Sequence, residues 1–280
     1  MPTPPARVVD ASHPQIMGVL NVTPDSFSDG GLFLSPAAAV HRAREMVAEG
    51  ATIIDVGGES TRPGASPVPL QEELDRVIPV IEAIHAALDV TISIDTSKPQ
   101  VMAAAVAAGA RLINDVRALC EEGAMRFAAE SGVAVCLMHA QGAPRTMQQA
   151  PVYANVVEEV YGFLQQRVAS CLKAGIARER LIVDPGFGFG KTLRHNLALA
   201  RDLHRFQDLG LPILVGVSRK SMFGAILGAG VHQRLYGSLA MTALLLERGA
   251  TIVRTHDIAA TLDVIKVVSA VADDQSQLQQ

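Results

Sequence analysis

The residues of this chain that could do chemistry fall in eight short clusters: 21–31, 55–65, 95–98, 114–115, 138–139, 184–191, 218–221 and 254–257. Together they hold carboxylates (Asp95, Asp184), amides and hydroxyls (Asn21, Asn114, Thr61, Ser221) and cations (Arg62, Lys220, Arg254), with His256 beside the last. Groups of this kind, brought to one place, can hold a polar and charged small molecule. They do not form a Ser-His-Asp or Cys-His arrangement, so no activated nucleophile is indicated. The other histidines, His13, His41, His85, His139, His195, His204 and His232, show no metal-ligand spacing. Residues 186–192 superficially resemble a phosphate-binding P-loop. That pattern requires a glycine five residues before Gly190, where Pro185 stands. A lone Asp at a strand end is as apt to cap the next helix as to react. Polar clusters at all eight ends are not explained by capping alone.

The elements that must position these clusters are legible as an alternation. Each cluster follows a short apolar, β-branched run: 15–20, 51–56, 90–95, 111–115, 133–138, 181–184, 213–217 and 251–255. The runs are nearly continuous rather than alternating, as strands covered on both faces require. Helical segments lie between them. Ser35 and Pro36 give a cap and a first-turn proline before 37–49, and Gly50 stops that helix. Further helices are expected at 70–88, from Pro99 to near Gly109, and at 152–174, 191–206, 235–248 and 257–271. Eight strand–helix units in about 250 residues match a (β/α)₈ TIM barrel. We therefore expect one α/β domain over 15–271, with a lead-in at 1–14 and a flexible, polar C-terminal tail at 272–280. A doubly wound open sheet is the competing arrangement. In a barrel all eight clusters meet at one mouth, the usual place for an active site.

Composition agrees and removes other classes. Of 280 residues, 49% are hydrophobic and 19% charged, which excludes a disordered chain. The net charge of -4 argues against a general nucleic-acid or membrane-surface binder. No signal-peptide start and no apolar run of membrane-spanning length occurs. Cys120, Cys136 and Cys171 fit neither a disulfide framework nor a zinc site and read as small core residues, so a reducing, cytoplasmic setting is expected. Aromatics are only 4%, with no Trp. The core must be aliphatic, and Phe27, set among small polar residues, either covers a ligand or packs on the rim. The first two loops are long and rich in Gly, Pro and Ser, as closing lids often are.

As a set, these motifs resemble the dihydropteroate synthase family of pterin-binding enzymes. The resemblance is carried by residues 17–31, 55–65, 95–98, 114–116, 184–191, 218–221 and 254–257, and extends over about 15–270. Thr255 departs from the Val that many members carry. No appended kinase or aldolase domain is seen, which implies a monofunctional enzyme. The resemblance implies condensation of a pterin diphosphate with p-aminobenzoate, with sulfonamides as competitors. It assigns the pterin to Asp95, Asn114, Val116, Met138, Asp184, Phe189, Lys220 and Arg254. It assigns pyrophosphate to Asn21, Thr61, Arg62, Arg254 and His256, with Mg²⁺ on Asn21. It places p-aminobenzoate against Phe27, Thr61, Pro63, Phe189, Lys220 and Ser221. Asp95, Asp184, Lys220, Arg254 and His256 are the expected catalytic set, and a homodimer is the expected assembly. Met138 could equally be core packing, and His256 a helix cap.

The chemistry is coherent with those assignments. Departure of pyrophosphate concentrates negative charge that cations and a metal must neutralise. The bridging carbon can share positive charge with the electron-rich pterin, which favours a dissociative substitution. An arylamine is neutral near pH 7 and already nucleophilic, so no strong general base is demanded. Competing functions are a folate-dependent methyltransferase on the same barrel, a Schiff-base aldolase using Lys220, and a pterin-binding paralogue without turnover.

Overall fold

Eight strands run parallel in the computed structural model, which describes residues 13–23, 35–60, 67–142 and 151–277. They are β1 (Gln15–Asn21), β2 (Ile53–Gly57), β3 (Thr91–Asp95), β4 (Leu112–Asp115), β5 (Ala134–Met138), β6 (Leu181–Asp184), β7 (Leu214–Val215) and β8 (Ile252–Thr255). Their order is β6-β5-β4-β3-β2-β1-β8-β7. The two ends of that series meet through a parallel bridge between Val183 and Ile213, and the Val183 N–H donates to the Pro212 carbonyl at 3.0 Å. The sheet is therefore closed, which excludes the doubly wound alternative. Closure removes both sheet edges.

Closure also explains the unbroken apolar runs. One face of each strand packs outward on helices: Ile16, Ile54, Ile94, Ile113, Val135, Val183, Val215 and Val253 join the main core. The other face points inward, where Met17, Ile53, Leu112, Ala134, Cys136, Ile182, Leu214 and Ile252 form a separate buried plug. Both faces are dry, so neither can carry the polar half of an alternating pattern. β7 is shorter than its apolar run and leaves the ladder at Gly216. A Cβ there would lie 3.7 Å from the Cβ of Arg254, an ordinary contact distance, so Gly216 stands directly beside that arginine at the mouth.

The helices form an outer ring. α1 (Pro36–Ala48) starts as expected, with the Ser35 hydroxyl accepting the Ala38 N–H at 3.2 Å. α2 (Leu70–Ala87) and α3 (Pro99–Ala108) also follow the sequence pattern, whereas α5 (Val156–Lys173) starts four residues later than expected, where the Asn155 side chain caps it. α4 (Ala124–Ser131) does not. It is eight residues long, buries only Ala124 and Ala128, and is delimited by the left-handed Gly123 and Gly132. α6 (Leu193–Arg201) is shorter than expected at both ends. Thr192 accepts the His195 N–H and caps it, leaving Lys191 outside, and a 3₁₀ segment (Leu203–Leu209) follows. α7 (Ser221–Leu227) and α8 (Leu235–Glu247) both lie between β7 and β8. α9 (Ile258–Gln277) runs six residues past the expected end at 271. No Gly or Pro interrupts 258–277, so nothing in the chain stops the helix there. Cys136 and Cys171 are buried as expected, whereas Cys120 is exposed. No described helix is long and apolar enough to cross a membrane.

Candidate active site

Side chains two residues apart on a strand share a face. Stepping two residues from the inward plug toward the strand ends therefore gives the lining of the mouth. Ile53 leads to Asp55, Leu112 to Asn114, Cys136 to Met138, Ile182 to Asp184, Leu214 to Gly216 and Ile252 to Arg254. Ser93 and Asp95 pair in register with Asp55 and Gly57, which brings β3 into the same layer. Asp55, Asp95, Asn114, Met138 and Asp184 are all buried. The plug thus forms a dry floor, and the next layer is polar.

Arg254 crosses this layer. Its Nε donates to Asp55 Oδ2 at 2.6 Å and its Nη2 to Asp95 Oδ2 at 2.9 Å. Asn114 Nδ2 donates to the same Asp55 oxygen at 3.1 Å. Burial opposes charge on Arg254, but Asp55 and Asp95 outweigh it and hold its pKa above the ordinary arginine range. Burial likewise pushes Asp95 up to about 7, against the pull of Arg254 and with help from Asp55. A buried pair of this kind is costly to break on one side, because the surviving charge is stranded.

Opposite lies a glycine-rich strap, residues 185–190. Asp184 Oδ1 accepts the Gly186 N–H at 2.7 Å. Burial raises the Asp184 pKa, with that amide, Lys220, Lys191 and Arg254 acting against it. The Lys220 ammonium donates to the Phe187 carbonyl and lies 4.5 Å from the centre of the Phe189 ring. Burial draws Lys220 down to about 8, with Asp184 opposing. A Cβ on Gly188, at φ +81°, would come within 3.0 Å of the Lys220 stem, so only glycine lets the strap pass there.

The structure thus gathers Asp95, Asn114, Met138, Asp184, Phe189, Lys220 and Arg254 at one mouth. Val116 is half-buried in the loop after β4. Asn21 ends β1; a Cβ on Gly57 would lie 3.8 Å from its Oδ1 and 3.7 Å from Asp95 Oδ2, so both oxygens flank that glycine. His256 is half-buried, with Nδ1 3.1 Å from the Ser218 hydroxyl. Ser221 is exposed and begins α7. Phe27, Thr61, Arg62 and Pro63, with the two long loops that carry them, lie outside the described residues.

Four participants lie in the clusters the sequence marks but receive no role from it. Asp55 is one, although its place two residues after an inward Ile53 is a usable signal. Ser218, Lys191 and His139 are the others. Lys191 and His139 are both buried beneath the strap, with nitrogens 3.0 Å apart. Burial lowers His139 to about 3 and Lys191 to about 7. A separate cavity of about 450 Å³ lies at the opposite end of the barrel, lined by Arg178, Arg180, Gln207 and Gly249 among others. There Arg178 and Arg180 donate to the carbonyls of Leu209 and Val133, which is packing chemistry. The strand-end polar layer, not this cavity, carries convergent charge.

Comparison with known proteins identifies the family. Residues 17–256 match the family model described as pterin binding enzyme. The chain is 54% identical over 262 residues to dihydropteroate synthase of Escherichia coli (strain K12), covering 94% of this chain and 93% of that protein. A Yersinia pestis dihydropteroate synthase structure, in a sulfonamide drug complex, superposes with a TM-score of 0.91 at 49% identity, covering 95% and 96% of the two chains. A Xanthomonas albilineans dihydropteroate synthase in complex with 7,8-dihydropteroate gives 0.85 at 45% identity, covering 94% and 95%. Its barrel, its buried mouth and these relatives place the chain in the dihydropteroate synthase family of pterin-binding enzymes.

Proposed function

We propose that this chain condenses 6-hydroxymethyl-7,8-dihydropterin diphosphate with p-aminobenzoate, giving 7,8-dihydropteroate and pyrophosphate. The observation that carries this reading is the polar layer above a dry floor. Asp95, Asn114 and Asp184 are buried there, with Lys220 beside them. A pterin edge offers amide, amine and ring N–H groups. Buried carboxylates and an amide are the acceptors and donors that read such an edge. Met138 floors the ring, and Val116 and Phe189 wall it.

The carbon–oxygen bond to the diphosphate breaks first, and its electron pair leaves with pyrophosphate. The resulting pterin cation lies over Asp95 and Asp184. The arylamine lone pair then forms the new carbon–nitrogen bond, and its proton is lost to water or to pyrophosphate. Phe189 and the stem of Lys220 flank the arylamine, joined by Phe27, Thr61 and Pro63, and Ser221 meets its carboxylate. Arg62 and His256 neutralise the leaving group. Arg254 contributes less charge than its type suggests, because two carboxylates already share it. Asn21 fits a magnesium ligand, since Mg²⁺ takes few protein oxygens and fills its shell from substrate phosphates and water. Such an ion would supply charge neutralisation to the departing pyrophosphate.

We further assign the chain to the cytoplasm, in keeping with its free thiols, and to a homodimer. Sulfonamides compete for the arylamine slot. A pyrophosphate-release assay with both substrates and Mg²⁺ tests the central reading. The parent enzyme turns over, and Asp184→Asn loses at least about 10²-fold in rate as charge-assisted recognition and cation stabilisation weaken. Near-parent activity in Asp184→Asn removes the role given to Asp184. Ligand binding without product identifies a non-catalytic paralogue.

A further inference from the structure

The Lys191 ammonium is enclosed by backbone. It lies 2.8 Å from the Gly186 carbonyl, 3.0 Å from the Phe189 carbonyl, 3.3 Å from the His139 carbonyl and 3.0 Å from His139 Nδ1. Three N–H donors therefore meet four acceptors, and the side chain is 3% exposed. Nδ1 accepts, so His139 is neutral with its proton on Nε2. The His139 peptide is fixed in turn, because its N–H donates to the Asp184 carbonyl at 3.0 Å.

These contacts tie the end of β5 to the strap after β6, beside the backbone bond from His139 to Asp184. Backbones approach very closely here. A Cβ on Gly186 would fall 1.9 Å from the His139 carbonyl oxygen, and one on Gly190 would fall 2.3 Å from that of Gln141. Lys191 is the donor shared by the His139, Gly186 and Phe189 carbonyls in this crowded place. The far side of the strap is held independently: Asn196 Oδ1 accepts the Gly188 N–H at 2.7 Å, and Asn196 Nδ2 donates to the Thr192 carbonyl at 2.8 Å. Between these two fastenings lie the Phe187 carbonyl and the Phe189 ring, the two groups that seat Lys220.

We propose that Lys191 is a positioning residue for the synthase reaction: its Nζ pins the 185–190 strap to the end of β5 and so fixes Phe189 and Lys220 around the arylamine. The proposal rests on the reading of this mouth as a dihydropteroate synthase site. It assigns Lys191 no contact with substrate. A lysine here brings up to three N–H donors on a chain long enough to reach several backbone carbonyls at once, where a side-chain amide brings two.

The test is a double-mutant cycle on the full-length enzyme. Lys191→Met keeps the length of the side chain and removes every donor. It is expected to raise KM for p-aminobenzoate at least about 10-fold while kcat at saturation stays within about 3-fold, the pattern of lost uniform binding. Phe189→Ala raises the same KM, and the double variant is no worse than the more affected single one, because residues acting as one unit are not additive. Amide exchange at residues 186–190 speeds up in Lys191→Met, while the central strands keep their protection. A fall in kcat with KM unchanged, or additive effects in the double variant, overturns the proposal by showing general damage. Unaltered exchange at the strap overturns it as well. Should Lys191→Met not fold, Lys191→Gln, which retains two donors on a shorter chain, takes its place; failure of both to fold makes Lys191 a stability residue and ends the proposal. An inactive parent enzyme refutes the synthase reading instead, and the exchange measurement still decides whether Lys191 pins the strap.

Discussion

Asp95 and Lys220 stand in one mouth with proton affinities drawn toward neutrality from opposite sides, about 7 for the acid and about 8 for the base. Burial is the leading cause in both. The consequence is a narrow window in which the free enzyme holds one as carboxylate and the other as ammonium. As pH falls through 7, Asp95 takes up a proton and stops accepting from a pterin. As pH rises through 8, Lys220 loses its charge. We expect kcat/KM for the pterin diphosphate to be bell-shaped, with limbs near these values, since that parameter reports free-enzyme ionisations. Asp95→Asn removes the acid limb and Lys220→Arg moves the alkaline limb beyond about pH 10, because guanidinium does not titrate there. Limbs unmoved in both variants would belong to substrate. Asp55 carries a different lesson. It supports Arg254 and Asn114 together, yet the sequence, which places it at the head of the 55–65 cluster, gives it no role, because it also falls inside an apolar run. Only the two-residue step from Ile53 marks it as inward. Asp55→Ala leaves Arg254 paired with Asp95 but takes an acceptor from both Arg254 and Asn114, and urea unfolding should show a loss of about 1–3 kcal/mol.

At the level of elements, the strands were legible because each is apolar on both faces and each ends in polar residues. The same rule located the mouth without any knowledge of register. What the pattern could not show is the backbone crowding of the strap. Lys191 reads locally as the first residue of a helix, since Thr192 and His195 give only a weak cap signal. Its burial is dictated by carbonyls brought in from β5, 52 residues away in the chain. α4 was invisible for the opposite reason: two buried alanines make too faint an apolar stripe to detect. Glycines in the strap are therefore the sharpest element-scale test. Gly186 sits at φ +70°, and its Cβ would overlap the His139 carbonyl. Gly186→Ala should cost about 2 kcal/mol or more in stability and abolish most activity, since both the backbone angle and the close approach forbid it. A control on the outer ring separates this from general sensitivity. Ser35→Ala removes the cap of α1 and should cost about 1 kcal/mol by urea unfolding with kcat/KM unchanged. Equal behaviour of the two variants would mean that the strap has no special role.

For the whole molecule, the distribution of apolar surface decides between a free barrel and a paired one. Ile226 and Leu227 of α7, Val231 after it, Tyr236 and Leu244 of α8, and Val267 and Val271 of α9 are all exposed, Tyr236 to 81%. α7 and α8 are adjacent in the chain, and a Cβ on Gly237 would lie 3.0 Å from Leu227, so the two helices pack closely where Gly237 meets Leu227. Monomers seldom leave apolar residues clustered on consecutive elements. A two-fold interface would cover the same patch on both copies, and burying about 800 Å² per copy would suffice for a specific dimer. Of the groups assigned to the mouth only Ser221 lies on these three helices, and it is not one of the exposed apolar residues, so a variant at Tyr236 and Val267 leaves the mouth groups themselves unchanged. We therefore expect the parent to sediment as a dimer and the double variant Tyr236→Glu, Val267→Glu to sediment as a monomer, since a charge buried in an apolar interface is strongly disfavoured. That monomer should keep its KM for p-aminobenzoate within about 3-fold, as removal of remote contacts leaves substrate binding intact. A parent that sediments as a monomer refutes the dimer. A monomeric variant with a disturbed KM would show instead that the helical flank and the mouth are coupled through the barrel wall.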